Sequence, residues 1–111
     1  MEPRLNYLHA SPELYKAMGG LEQAVRKSGL EHPLLELIKI RASQINSCAF
    51  CLDMHTKDVR AQGETEQRIY ALSAWRETPF FTEKERAAPA WTEAVTLVAQ
   101  SQVPDEVYEL A

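Results

Sequence analysis

The chain has 111 residues, 45% apolar and 25% charged, with a formal net charge of −4. That length suits one small domain rather than two, so residues 1–111 are expected to form a single domain of ordinary soluble composition. Acids and bases are interleaved with no basic block, which argues against a nucleic-acid partner, and no apolar run reaches the roughly 18 residues of a membrane-spanning helix.

The opening stretch, MEPRLNYLHASPELY, lacks a basic segment followed by an apolar one, so no signal peptide is read. The expected compartment is the cytoplasm, where thiols are kept reduced. The first helical pattern follows. Leu14, Met18, Leu21 and Val25 recur at steps of four, three and four, one face of a helix. Ser11-Pro12 is a start signal and Gly29 a stop. Gly19 and Gly20 inside it cost roughly 1 kcal/mol each against alanine. They mark either a bend or the close approach of another helix.

The second helix is predicted from His32-Pro33 to about Asn46. Leu34, Leu35, Leu37, Ile38, Ile40, Ala42 and Ile45 cover almost every direction around its axis, the pattern of a buried helix. Glu36 lies within that run and shares a face with Ile40 and Ser43. A partly buried carboxylate there needs a partner or a purpose.

The third helix is predicted from Ser47 or Cys48 to Gly63, with Ser47 as its cap. The fourth runs from about Thr65 to Trp75 through Ile69 and Leu72, and Thr78-Pro79 ends it. The fifth opens on the capping-box pattern Thr82-Glu83-Lys84-Glu85 and runs to about Ser101. Pro89 inside it predicts a kink or a local break. Pro104-Asp105-Glu106 opens a sixth helix that the chain ends before completing. No strand pattern, hairpin turn or internal repeat is present. The expected fold class is all-α, and so apolar a second helix would gain from oligomerisation.

The chemistry concentrates in C-A-F-C-L-D-M-H, residues 48 to 55, which holds both cysteines of the chain and one of its three histidines. Cys48, Cys51 and His55 stand at i, i+3 and i+7, on one helical face within about 60° of arc. The free N–H groups and dipole at a helix start favour a thiolate, the nucleophilic form. His55 can accept a proton from Cys51 one turn away or stabilise its thiolate. The two sulfurs can also close into a disulfide. Three other readings compete. A zinc site would normally add a second cluster; His9 and His32 are remote in sequence, and Glu36 would have to be the fourth ligand. Two inert buried cysteines are the bland reading. A thioredoxin-type domain needs a βαβ framework, and no strands are predicted.

The pattern Glu36-x11-Cys48-x2-Cys51-x3-His55 resembles the signature of the AhpD-like alkylhydroperoxidases, within the carboxymuconolactone decarboxylase family. The likeness extends from about residue 5 to 108. It implies an all-α fold of about five to six helices assembled as trimers or hexamers. Cys51 would match the peroxidatic cysteine and Cys48 the resolving one, closing a Cys48–Cys51 disulfide, with His55 and Glu36 as the proton relay. No bound cofactor or metal is implied; the reductant would be an external dihydrolipoyl protein or other dithiol, and the substrate an organic hydroperoxide or hydrogen peroxide. By its position at the helix start alone, Cys48 would be the more acidic thiol; the resemblance and the proximity of His55 favour Cys51 as the attacker.

Three departures stand out. Phe50 occupies a position that is histidine in some relatives, Pro89 interrupts a helix that is otherwise regular, and the chain is short of the family's C-terminal helices. A thiol–disulfide reductase or redox sensor would use the same dithiol without peroxide specificity. A lactone decarboxylase, the other activity of the family, does not depend on the cysteine pair. An inert scaffold domain is the non-enzymatic alternative.

Overall fold

A computed structural model describes residues 2–111. All regular structure among them is helical: α1 (Tyr7–Ala10), α2 (Pro12–Arg26), α3 (His32–Ile45), α4 (Ala49–Ala61), α5 (Glu66–Ala71), a 3-10 helix (Leu72–Glu77), α6 (Glu83–Thr96), α7 (Val98–Ser101) and α8 (Asp105–Leu110). They fall into two compact units, one up to Leu30 and one from Glu31 onward. None of the helices is long and apolar enough to cross a membrane.

In the N-terminal unit, Asn6 caps α1, a short helix absent from the sequence reading, by accepting from the His9 N–H. Ser11 caps α2 in the same way through Leu14 N. The first-helix stop falls as expected, with Gly29 at φ +95° just past α2, a conformation that glycine adopts without a Cβ penalty. Neither reading of Gly19 and Gly20 holds within this chain. The helix passes through both uninterrupted, and a Cβ at either would meet nothing within 4 Å. The stripe of Leu14, Met18, Leu21 and Val25 is exposed.

The larger unit is built around α3, which packs against α4 and α6. From Leu34 to Ile45 no residue of α3 is exposed, in line with its apolar circumference. Leu37 and Ile40 join Val59, Ile69, Leu72, Trp75 and Phe81 in one core, with Leu52, Phe80 and Ala90 against it. Burying each large side chain of that set contributes about 1.5–3 kcal/mol before entropy is counted.

The expected fourth helix is instead two pieces, α5 and the 3-10 helix, with Ala74 at non-helical φ −118° and ψ 32°. The spacing of the core residues fits it. Within the 3-10 helix Leu72 and Trp75, three residues apart, are both buried, and Ile69 is buried on α5 before them. A 3-10 helix has three residues per turn and keeps such positions in line, whereas an α-helix rotates each by about 60°.

The capping box forms on Thr82 and Glu85. The predicted break at Pro89 does not occur: α6 runs through it, and Pro89 is among the fully buried residues. The interruption falls later, at Leu97, so the fifth helix ends at Thr96 and α7 follows as a separate turn. Glu93 on α6 ties three elements together. It accepts from Arg41 Nε of α3 at 2.9 Å, from Trp75 Nε1 at 2.9 Å and from an Arg76 guanidinium N–H at 2.6 Å. Burial pushes the Glu93 carboxyl up, but these donors outweigh it and hold the group below its ordinary value. Glu85 is likewise held low, chiefly by its hydrogen bond from Arg68, against the opposing effect of burial.

Candidate functional site

The site is made where α4 folds back along α3. At the end of α3, Cys48 N donates to Ser43 O at 3.0 Å. Ser47 turns the chain through a left-handed conformation, φ 54°. The next residue, Cys48, takes extended backbone, φ −88° and ψ 98°, and is the N-cap of α4. The sequence reading gave that role to Ser47; its left-handed backbone places it outside the cap position, where extended backbone is normal. The Cys48 sulfur itself accepts from Cys51 N at 3.3 Å.

Cys48 and Cys51 are joined as a disulfide, with their Cα atoms 5.3 Å apart. Both residues are partly exposed. Phe50, between them on the outer side of the turn, is 76% exposed, so the departure at this position leaves an apolar ring in solvent beside the sulfurs.

His55 follows Cys51 by one turn of α4. Its Nδ1 lies 3.3 Å from Glu36 Oε2, and the two side chains are only 16% and 4% exposed. Neither atom makes a well-directed hydrogen bond among the described residues; they face one another as a close, buried polar pair. Glu36, expected to be partly buried, is only 3% exposed, and Ile40 and Ser43 on its face are buried with it. With Nδ1 turned to Glu36, the ring's Nε2 is left for sulfur or substrate, the usual division of labour when a carboxylate orients an imidazole.

One member of the site was missed. His32, the first residue of α3, brings its Nε2 to 3.8 Å from the other oxygen of Glu36. The signal was available, since His32 and Glu36 stand at i and i+4 on one helix. The same nitrogen lies 3.1 Å from Gln62 Nε2 at the end of α4. Glu36–His55 and His32–Gln62 are thus successive rungs between antiparallel helices. His9 stands on α1 of the N-terminal unit. No three potential metal ligands converge among the described residues.

The profile of the carboxymuconolactone decarboxylase family matches residues 12–94. The chain belongs to that family. As a carboxymuconolactone decarboxylase family member it is 48% identical to the uncharacterised protein YdfG of Bacillus subtilis, over 97% of this chain and 74% of that one. It is 29% identical to the uncharacterised protein YnjA of Escherichia coli, over 72% of this chain and 43% of the relative. A crystal structure of ATU0492 from Agrobacterium tumefaciens superposes with a TM-score of 0.92 at 51% identity, covering 98% of this chain and 75% of that one. That protein is of unknown function and is described as a candidate antioxidant defence protein AhpD. The all-α, AhpD-like fold of this carboxymuconolactone decarboxylase family member agrees with the class read from its sequence.

Proposed function

We propose that the chain is a thiol-dependent peroxidase that reduces an organic hydroperoxide or hydrogen peroxide. The observation that carries this reading is a dithiol already able to close as the Cys48–Cys51 disulfide, with the buried Glu36–His55 pair one turn from Cys51. In the reduced state His55 takes the Cys51 proton, and Glu36 steadies the imidazolium that results. The thiolate attacks one peroxide oxygen; the O–O bond breaks, and the departing alkoxide takes the proton back and leaves as alcohol or water. Cys51 is then a sulfenic acid. Cys48 attacks its sulfur and expels water, giving the disulfide seen here. One hydroperoxide and two thiols have become one alcohol, one water and one disulfide. An external dithiol, such as a dihydrolipoyl protein, reduces the disulfide and is itself oxidised. Assembly into homo-oligomers belongs to the same proposal.

The test is peroxide turnover driven by dihydrolipoamide. Turnover well above that of Cys51→Ser is expected, and wild-type turnover no higher than that variant would overturn the proposal. A second reading is favoured by the partial exposure of both cysteines, which leaves the disulfide open to another protein's thiol. Slow reaction with peroxide together with fast exchange on a protein disulfide would identify a thiol–disulfide reductase or redox sensor instead.

A further inference from the structure

Glu36 has one oxygen for His55 and the other for His32. The reaction above uses only the first. Both protein sulfurs must take back protons when the disulfide is reduced, while the reductant releases its own protons elsewhere. The pair that serves Cys51 is buried: Glu36 and His55 are 4% and 16% exposed at the side chain. His32 is 45% exposed at its side chain and touches the inner carboxylate. The three groups therefore form a line from solvent to the dithiol: His32 Nε2, Glu36 Oε1, Glu36 Oε2, His55 Nδ1.

We propose that His32 is the outer relay residue of this redox site, exchanging protons with water and passing them through Glu36 to His55. The proposal rests on the dithiol reading of the site, not on peroxide as its oxidant. His32 acts through Glu36 and does not touch the sulfurs. The carboxylate takes a proton on Oε1 and gives one up from Oε2, so no group has to move through the core. The 3.8 Å step between His32 and Glu36 closes by a small tilt of an exposed ring or through one water, either of which brings donor and acceptor to transfer distance. Gln62 suits both states of that ring. Its carboxamide donates N–H to a bare Nε2 and, turned over, presents its oxygen to a protonated one. It holds the ring at the end of the line without fixing where the proton sits.

The experiment measures single-turnover rates in both directions for wild type and His32→Gln. Reduced protein is mixed with hydrogen peroxide, and oxidised protein with dihydrolipoamide, first at a low concentration of a bulky buffer and then with imidazole added. His32→Gln should slow both reactions roughly tenfold at low buffer, the size of effect that outer partners of a reactive group commonly have. Imidazole should restore the rate, because a free imidazole can replace the lost one at an exposed position. Wild type should respond little to imidazole. Equal rates for the two proteins at low buffer overturn the relay, as does a slowing that imidazole leaves in place, which marks a merely structural role. A wild type inert to peroxide, but with the His32 effect intact in disulfide reduction, overturns the peroxidase reading and leaves the relay standing.

Discussion

Glu36 Oε2 on α3 and His55 Nδ1 on α4 stand 3.3 Å apart, and this contact joins a buried carboxylate to the helix that carries Cys51. A carboxylate this deep is costly to bury unless it is partnered. On the function proposed above, its burial is stability given up for chemistry, a trade common at functional positions.

Replacing Glu36 by glutamine keeps the volume and removes the charge. His55 then loses the group that orients it and steadies its protonated form. Oxidation of the reduced dithiol by peroxide should slow by about 10- to 100-fold. Replacing both members of the pair, Glu36→Met together with His55→Leu, should slow it at least as much and yet leave the protein equally or more resistant to heat, since a buried polar pair gives way to packing. Stopped-flow oxidation together with thermal melts checks both halves; a large loss of stability in the double variant would show that the pair is a structural element.

Acid sensitivity should trace to Glu93 and Glu85. Both carboxyls are held below their ordinary values in the folded chain: Glu93 against burial by its donors Trp75, Arg76 and Arg41, and Glu85 chiefly by Arg68. A depressed carboxyl stabilises the fold above its unfolded pKa, and that contribution is lost as pH falls through the folded value. The window therefore opens near the ordinary carboxylate pKa of about 4.3 and extends to more acid pH. Chemical denaturation from pH 6 down to about pH 3 should show a steep fall for wild type. Glu93→Gln should be less stable at pH 6 and show a shallower fall.

Much of this was legible in the residues, for local reasons. The apolar circumference of α3 predicts its burial, and burial of Glu36 follows from its place in that run. The Thr82–Glu85 box and the Gly29 and Gly63 stops need only a few neighbouring residues. What was not legible depends on tertiary packing. Pro89 stays inside α6 and is fully buried, and no local rule records that. The 3-10 helix carries Leu72 and Trp75, three residues apart and both buried, a placement set by the core. The stripe on α2 shows the converse: its periodicity is real, yet Leu14 is 70% exposed. Within the site, the Cys-x-x-Cys spacing indicated a dithiol, but pairing Glu36 with His55 came from the resemblance. The i, i+4 relation of His32 to Glu36 is plain in the sequence, but a histidine at that spacing from a carboxylate is common on helix surfaces and does not by itself point to a site.

The line of core residues through the 3-10 helix gives a stability test. Leu72 is 0% exposed and lies at the junction of α5 and that helix. Leu72→Ala removes buried methyl groups and leaves a cavity, which should cost about 2–5 kcal/mol. Val98→Ala, at an exposed position of α7, should change stability by no more than about 0.5 kcal/mol. Urea titrations of the two variants against wild type check the contrast. A small effect at Leu72 would mean that the neighbouring helices collapse onto the vacated space.

Cys48 has a structural role besides the redox one proposed for it, and the two can be separated in the reduced protein. Its sulfur accepts from Cys51 N at the start of α4, where the first N–H groups of a helix have no partner of their own. Serine is a good acceptor at that position and alanine is none. With a reductant present throughout, so that the disulfide contributes nothing, Cys48→Ser should be at least as stable as the reduced wild type, a thiol being the weaker acceptor. Cys48→Ala should lose about 1 kcal/mol relative to Cys48→Ser. Neither variant can close the disulfide, so both should stop at the Cys51 sulfenic acid when treated with peroxide, which mass spectrometry after dimedone trapping reads directly. Equal stability of the serine and alanine variants would show that the sulfur contact does not cap α4 once the thiol is free.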